Sequence, residues 1–194
     1  SVTVIDAAAQ ILPDILDPEM AAYVKRHLAQ KGIRVLTNTK AVRIEGEAEV
    51  SGIRTDSALL SCGLVVMAVG IRPNTAFLQD SGVELDKGKI VVDSMLRTNV
   101  ADIFAAGDCA VVTNRLTGKR QWSPMGSSAN LEGRTLAQIL SGSEKAYPGV
   151  LGTGVVKLPE LNCGRTGLCE DQAKAAGYRV ITALAVTDDK AHYY

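Results

Sequence analysis

Apolar residues in this chain gather into short runs separated by polar or glycine-marked breaks, and one helical period stands between the first two runs. Val2-Thr3-Val4-Ile5 reads as a strand. Met20, Val24 and Leu28 then recur at i, i+4 and i+8, which predicts a helix with one buried stripe. Asp17 stands at the N-cap of that helix and Pro18 in its first turn. Gly32 closes it where a positive φ is wanted, and Ile33–Leu36 returns as a second strand. Strand, helix, strand in this order predicts a parallel pair. Residues 41–45, 50–55 and 58–60, broken by Gly46, Asp56 and Ser57, read as an antiparallel meander. Residues 64–68 are continuously apolar, the pattern of a strand buried on both faces.

The second half is less regular. Residues 76–100 are loop-rich, with a helical turn at Phe77-Leu78 and a strand at Ile90-Val91-Val92. Residues 103–106 form a short apolar strand that runs straight into Gly107 and Asp108, and the polar stretch 112–124 is expected to be an exposed loop. A helix follows over 128–140, with Ala129, Leu136, Ala137 and Leu140 inward and Gly142 just past its end. Gly133 inside it costs about 1 kcal/mol relative to alanine, so it is expected to mark close packing. Pro148-Gly149 suits a boundary. Beyond it, residues 150–158 and 180–186 read as strands around a short helix at 170–176. The fold class expected is α/β.

Composition narrows the function. Twenty-one basic and 21 acidic residues cancel, so no basic surplus points to nucleic acid. The longest apolar run, residues 64–69, is far below the roughly 20 residues that span a bilayer, and no signal-peptide pattern is seen. Cys62, Cys109, Cys163 and Cys169 have neither metal-ligand spacing nor a disulfide framework. The expectation is a cytoplasmic protein with reduced thiols, no metal and no membrane partner. Gly149-Val150-Leu151-Gly152-Thr153-Gly154 imitates a phosphate loop but lacks the strand-to-helix context. His27 and His192 are read as structural, and Cys109, with no basic neighbour in sequence, as an inert thiol.

The most informative stretch is Thr-Asn-Val-Ala-Asp-Ile-Phe-Ala-Ala-Gly-Asp-Cys at 98–109. An acid beyond a strand end lies where open α/β sheets bind ligands. Gly107 lets a ligand approach the backbone, and an ionised Asp108 accepts hydrogen bonds from hydroxyl groups. A structural cap or turn is the other reading of the same residues.

These twelve residues resemble the second FAD-binding motif of the pyridine nucleotide–disulfide oxidoreductases. Val65-Val66-Met67-Ala68-Val69-Gly70-Ile71-Arg72-Pro73-Asn74-Thr75, the opening Val2-Thr3-Val4-Ile5-Asp6, and Ala129-Asn130-Leu131-Glu132-Gly133-Arg134 fit the same template in the same order. The resemblance covers essentially all 194 residues and is nearest the branch of NADH oxidases, NADH peroxidases and coenzyme A or persulfide reductases. It implies a Rossmann-like fragment: residues 1–74 from an NAD(H)-binding domain, 75–147 from the returning part of an FAD domain, and 148–194 from the start of an α+β interface domain.

The resemblance also implies roles. Asp108, beside Gly107, would hold the ribityl chain of FAD. Asp6 would accept hydrogen bonds from the adenosine ribose of NAD and disfavour a 2′-phosphate; an exposed strand-end residue is the alternative. Gly70 would line the nicotinamide site, or serve only as the turn before Pro73. Met125, Gly126 and Ser127 would aim a helix N-terminus at the flavin's pyrimidine ring through their backbone. Trp122 stands near this stretch and is read as a loop aromatic packing on the surface; a cover for the flavin edge is the alternative. Tyr193 and Tyr194 resemble a segment that reaches the partner subunit's active site in the coenzyme A reductase branch.

The pyrophosphate-gripping loop and redox cysteine of the family belong to a missing N-terminal half, so no catalytic residue is assigned to this chain. The expected whole is a homodimer passing reducing equivalents from NADH through flavin to a disulfide, persulfide, peroxide or oxygen. A nitrite or ferredoxin-type reductase flavoprotein is the alternative within the class, and a non-catalytic association fragment the alternative outside it.

Overall fold

Two short apolar segments can run parallel only if the chain between them crosses back, and here a helix does so. The computed structural model describes residues 1–187. In it, β1 (Val2–Ile5) and β2 (Ile33–Leu36) pair in parallel from Val2 opposite Ile33 to Ile5 opposite Leu36, linked by α1 (Pro18–Gln30). The buried stripe of α1 is Ala21, Val24 and Leu28, whereas Met20 is 43% exposed. Moving one position along a helix turns the face by about 100°, so the alanine takes the inward place expected of the methionine. Gly32 has φ +76, as its closing role requires.

A three-stranded antiparallel meander follows, β3 (Ala41–Glu45), β4 (Gly52–Thr55) and β5 (Leu59–Ser61). The apolar run after it departs from expectation. Residues 64–68 are not in a strand, and Leu64, Val66, Met67 and Val69 are exposed, Val69 by 84%. A strand buried on both faces needs neighbours on both sides, and none of the described strands pairs with this one.

The second unit is a four-stranded sheet in the order β6 (Leu85–Asp86), β7 (Lys89–Val91), β8 (Ala110–Thr113), β9 (Arg120–Trp122), with β7 and β8 parallel and the outer pairs antiparallel. Two expectations are corrected here. Residues 103–106 are not a strand: Phe104 only bridges Arg97, and Ala105 N–H bonds the Leu96 carbonyl in a loop that Asp102 enters at φ +61. The strand begins after Asp108, not before it. Residues 112–124 are not one exposed loop either, because β8 and β9 form a hairpin there. Its turn is local: Asn114 Oδ1 accepts the N–H groups of Leu116 and Thr117 at 2.8 and 3.0 Å.

Helix α2 (Gly126–Leu140) starts two residues earlier than its apolar pattern suggests. It buries Glu132, Thr135 and Ile139, while Ala129 and Leu136 are half-buried and Ala137 and Leu140 are exposed. Gly133 faces open space, with nothing within 4 Å of a Cβ built there, so close packing is not its reason. Around Leu96, which is wholly buried, the core of this unit collects Val83, Ile90, Val92, Ala105, Ala110, Val112, Tyr147 and Val150.

Gly149, at φ +81, marks a close crossing: a Cβ there would stand 2.3 Å from the Thr113 carbonyl oxygen. Only Gly154–Leu158 of the expected 150–158 strand forms, as β10, and it pairs with β11 (Leu161–Arg165) in a hairpin absent from the sequence reading. Residues 180–186 form no strand, and Val186 is fully exposed. The short helix α3 (Glu170–Ala175) stands as expected. The hairpin packs on α1. Cys163 joins Ile11, Leu16, Ala21, Val24 and Leu28 in a second core, and a His27 ring nitrogen meets the Pro159 carbonyl at 2.7 Å. No helix among the described residues is long and apolar enough to cross a membrane.

Candidate functional site

Between Ala106 and Ala110 the chain turns sharply, and protein groups hold nearly every point of the turn. Gly107 sits at φ +86, a left-handed conformation that side-chain-bearing residues rarely adopt. Its N–H donates to Glu132 Oε2 at 2.6 Å, and its carbonyl accepts from Ala110 N–H at 2.9 Å. The Asp108 carbonyl accepts from Trp122 Nε1 at 2.8 Å, and the Cys109 carbonyl from Ile90 N–H at 2.8 Å. The Asp108 carboxylate is exposed, and none of the ion pairs among the described residues involves it. A rigid turn thus presents one free acceptor group.

Beside this turn stands the start of α2. Met125 has extended N-cap dihedrals and no side-chain cap bond, and Met125, Gly126 and Ser127 are exposed. The N–H groups of this first turn therefore face outward as unpaired donors at the positive end of the helix. A Cβ on Gly107 would lie 3.6 Å from that of Ala129, so the turn and the helix start are in contact. The structure sets the turn of Gly107 and Asp108 against the helix that Met125, Gly126 and Ser127 begin, with a free carboxylate on the turn and open N–H donors at the helix start.

One side chain at this site escaped the sequence reading, and a second stands differently from its expectation. Glu132 is only 2% exposed, and burial pushes its carboxyl above the usual range despite hydrogen bonds from Gly107 and Tyr147, with the Asp108 charge adding to the rise. Ala129, Glu132 and Leu136 share one face at helical spacing, but that pattern places Glu132 inward only once the buried face of the helix is known. Trp122, expected as a surface aromatic, is half-buried against the turn, with Lys89 Nζ 4.9 Å from its ring centroid. Tyr147 is pushed up to about 12 by burial and by Glu132. Burial likewise raises the Cys109 thiol, in keeping with an inert group.

The nucleotide-side residues stand elsewhere. Asp6 follows β1, its N–H on the Leu36 carbonyl and its Oδ1 accepting Ala8 N–H at 2.9 Å. Gly70, at φ +101, lies in the exposed segment, with open space where a Cβ would stand. Just beyond it, Ile71, Arg72 and Pro73 form one wall of a hollow of about 340 Å³, and Lys87, Gly88, Lys89 and Trp122 form the other. This hollow brings the Gly70 segment toward the turn through Trp122. A larger groove of about 690 Å³ runs from Trp122 and Met125 to Arg165 and Gln172. Tyr193 and Tyr194 lie outside the described residues. Among the described residues no group of three or more His, Cys, Asp or Glu side chains is placed to hold a metal.

Residues 1–129 match the sequence model of a family described as pyridine nucleotide-disulphide oxidoreductase. The chain belongs to this family. Across its whole length it is 34% identical to an NAD(P)H sulfur oxidoreductase (CoA-dependent) of Pyrococcus furiosus, covering 44% of that protein. It is 32% identical to an NADH oxidase of Methanocaldococcus jannaschii, again over the whole chain and 43% of the relative. Among solved structures, a NAD-dependent persulfide reductase from A. fulgidus superposes with a TM-score of 0.92 at 35% identity, over 100% of this chain and 36% of the other. The chain spans less than half the length of these oxidoreductases. Its mixed α/β architecture, with β1, α1 and β2 as a parallel unit, is the Rossmann-like fragment expected.

Proposed function

We propose that this chain is part of an FAD-dependent oxidoreductase that takes reducing equivalents from NADH. The observation that carries the reading is the Gly107–Asp108 turn, which bears a free carboxylate and packs through Gly107 on α2 at Ala129 and Glu132, one turn from the open N–H groups at the start of that helix. The residues fit such a cofactor chemically. A carboxylate with no protein partner suits the hydroxyls of a ribityl chain, and outward N–H groups at a helix start suit the carbonyl edge of a flavin ring.

When bound, the flavin supplies the two-electron chemistry, accepting a hydride from NADH and passing the electrons on. This chain's own part is binding and orientation. Asp108 fixes the sugar-alcohol arm, and the positive end of α2 stabilises negative charge at the ring edge, which favours the reduced state. Asp6 retains an Oδ2 that takes no hydrogen bond among the described residues, and it serves the ribose of NAD while repelling a 2′-phosphate. Gly70 keeps the nicotinamide approach clear of side chains.

On this reading residues 1–74 belong to the NAD(H) domain, 75–147 to the FAD domain and 148–194 to the interface domain, with Tyr193 and Tyr194 on the substrate side. The remaining partners are the N-terminal half of the same enzyme and a second subunit. The acceptor is a disulfide, a persulfide, peroxide or oxygen, and the names of the sulfur-reducing relatives favour a sulfur compound. Four unpaired thiols suit the cytoplasm. Anaerobic addition of NADH to the purified full-length polypeptide tests the proposal: bleaching of a flavin spectrum is expected, and a protein that neither carries nor binds FAD contradicts it.

A further inference from the structure

Glu132 is the only acid on α2, and it lies on the buried side of that helix. A buried carboxyl is costly unless its oxygens are hydrogen-bonded, and a neutral group would serve simple packing. Here one oxygen has Gly107 N–H as donor at 2.6 Å, and the carboxyl faces the hydroxyl of Tyr147, itself 5% exposed and tied by its own N–H to the Ser94 carbonyl at 2.8 Å. The other ionisable groups that face Glu132 are Asp108 and Cys109, both in the turn. The carbonyls of the turn are held by Ala110, Trp122 and Ile90, so Glu132 is the side chain of α2 that ties the turn to the helix.

We propose that Glu132 is a positioning residue: it sets the spacing between the Asp108 carboxylate and the open N–H groups at the start of α2, and Tyr147 holds it in place. Its consequence for cofactor binding rests on the flavin reading above. The geometry it fixes does not. Glu132 accepts rather than donates at Gly107, so a glutamine oxygen replaces it there, and the glutamine NH₂ can donate to the Tyr147 oxygen. Leucine, of similar size, offers no acceptor.

Two readouts test this. In the 194-residue chain without ligand, amide hydrogen exchange at Gly107 is expected to speed up about 10-fold in Glu132→Leu, with Glu132→Gln within about 3-fold of the parent. In the full-length polypeptide, the FAD dissociation constant is expected to follow the same order, about 10-fold weaker for leucine and near the parent for glutamine. Unchanged exchange at Gly107 in the leucine variant overturns the proposal, and so does a glutamine variant as impaired as leucine. If leucine prevents folding, Tyr147→Phe replaces it: faster Gly107 exchange supports the proposal and unchanged exchange overturns it. A parent protein that binds no FAD refutes the flavin reading alone, because the exchange measurement then decides the role of Glu132.

Discussion

The carboxylate of Asp17 accepts the backbone N–H of Glu170 at 2.8 Å, across 153 positions of sequence. Asp17 stands at the N-cap of α1 with suitable dihedrals, yet makes no cap bond to its own helix. Its oxygen serves the first residue of α3 instead, beside the core that Cys163 shares with α1. The cap expected from sequence is therefore a tertiary clasp.

Removing that clasp is expected to act at a distance. Asp17→Ala should lower stability by about 1–2 kcal/mol, the usual loss for a carboxylate bonded to a helix-start N–H. Hydrogen exchange should rise at Glu170 more than within α1. Faster exchange confined to the first turn of α1 would show that the carboxylate caps its own helix.

Two glycines should respond in opposite directions. Gly133 lies exposed within α2 with open space around it, so Gly133→Ala is expected to stabilise by about 0.5–1 kcal/mol. Gly149 has a positive φ and a carbonyl 2.3 Å from where a Cβ would sit, so Gly149→Ala should destabilise by about 2 kcal/mol or more. Denaturant midpoints of the two variants check both signs.

What the sequence disclosed followed from local chemistry. The β1–α1–β2 unit, the meander and α2 carry period, caps and breakers within their own windows. The failures are places where tertiary partners decide. Ala105 and Ala106 are apolar because they line a core, not because they pair in a ladder. The Val111-Val112 pair was too short to stand out from the polar turn after it. Asn162 and Gly164 hid β11, whose inward residue Cys163 is buried against α1. Of the site, Gly107 and Asp108 were legible because their chemistry is written in residue type, whereas the start of α2, two residues before its apolar pattern, was reached through the family resemblance. Glu132 was not, because a charged residue in a helix reads as a solvent-facing one until the turn that claims it is known.

Stability should also depend on pH through Glu132 and Tyr147. Burial raises the Glu132 carboxyl above 4.5, so the folded state holds more protons than the unfolded one between that value and the raised one. Stability from this group is full below that window and falls as pH rises through it. Glu132→Gln should remove this slope, so melts from pH 4 to 8 should show the variant gaining on the parent as pH increases. Tyr147, pushed up from 10.0 to about 12, adds a second decline across that alkaline interval, which Tyr147→Phe should abolish. Parallel pH profiles for parent and variant would contradict the assignment of either group.

The most direct measurement is FAD affinity in the full-length polypeptide with Asp108 intact and with Asp108→Ala. The carboxylate is exposed and outside every ion pair among the described residues, so its removal should leave the fold and melting temperature unchanged. Loss of charge-assisted hydrogen bonds to the cofactor should weaken binding by about 10-fold or more. An alanine variant that folds normally and binds FAD as tightly as the parent would contradict the central claim that this turn holds the flavin.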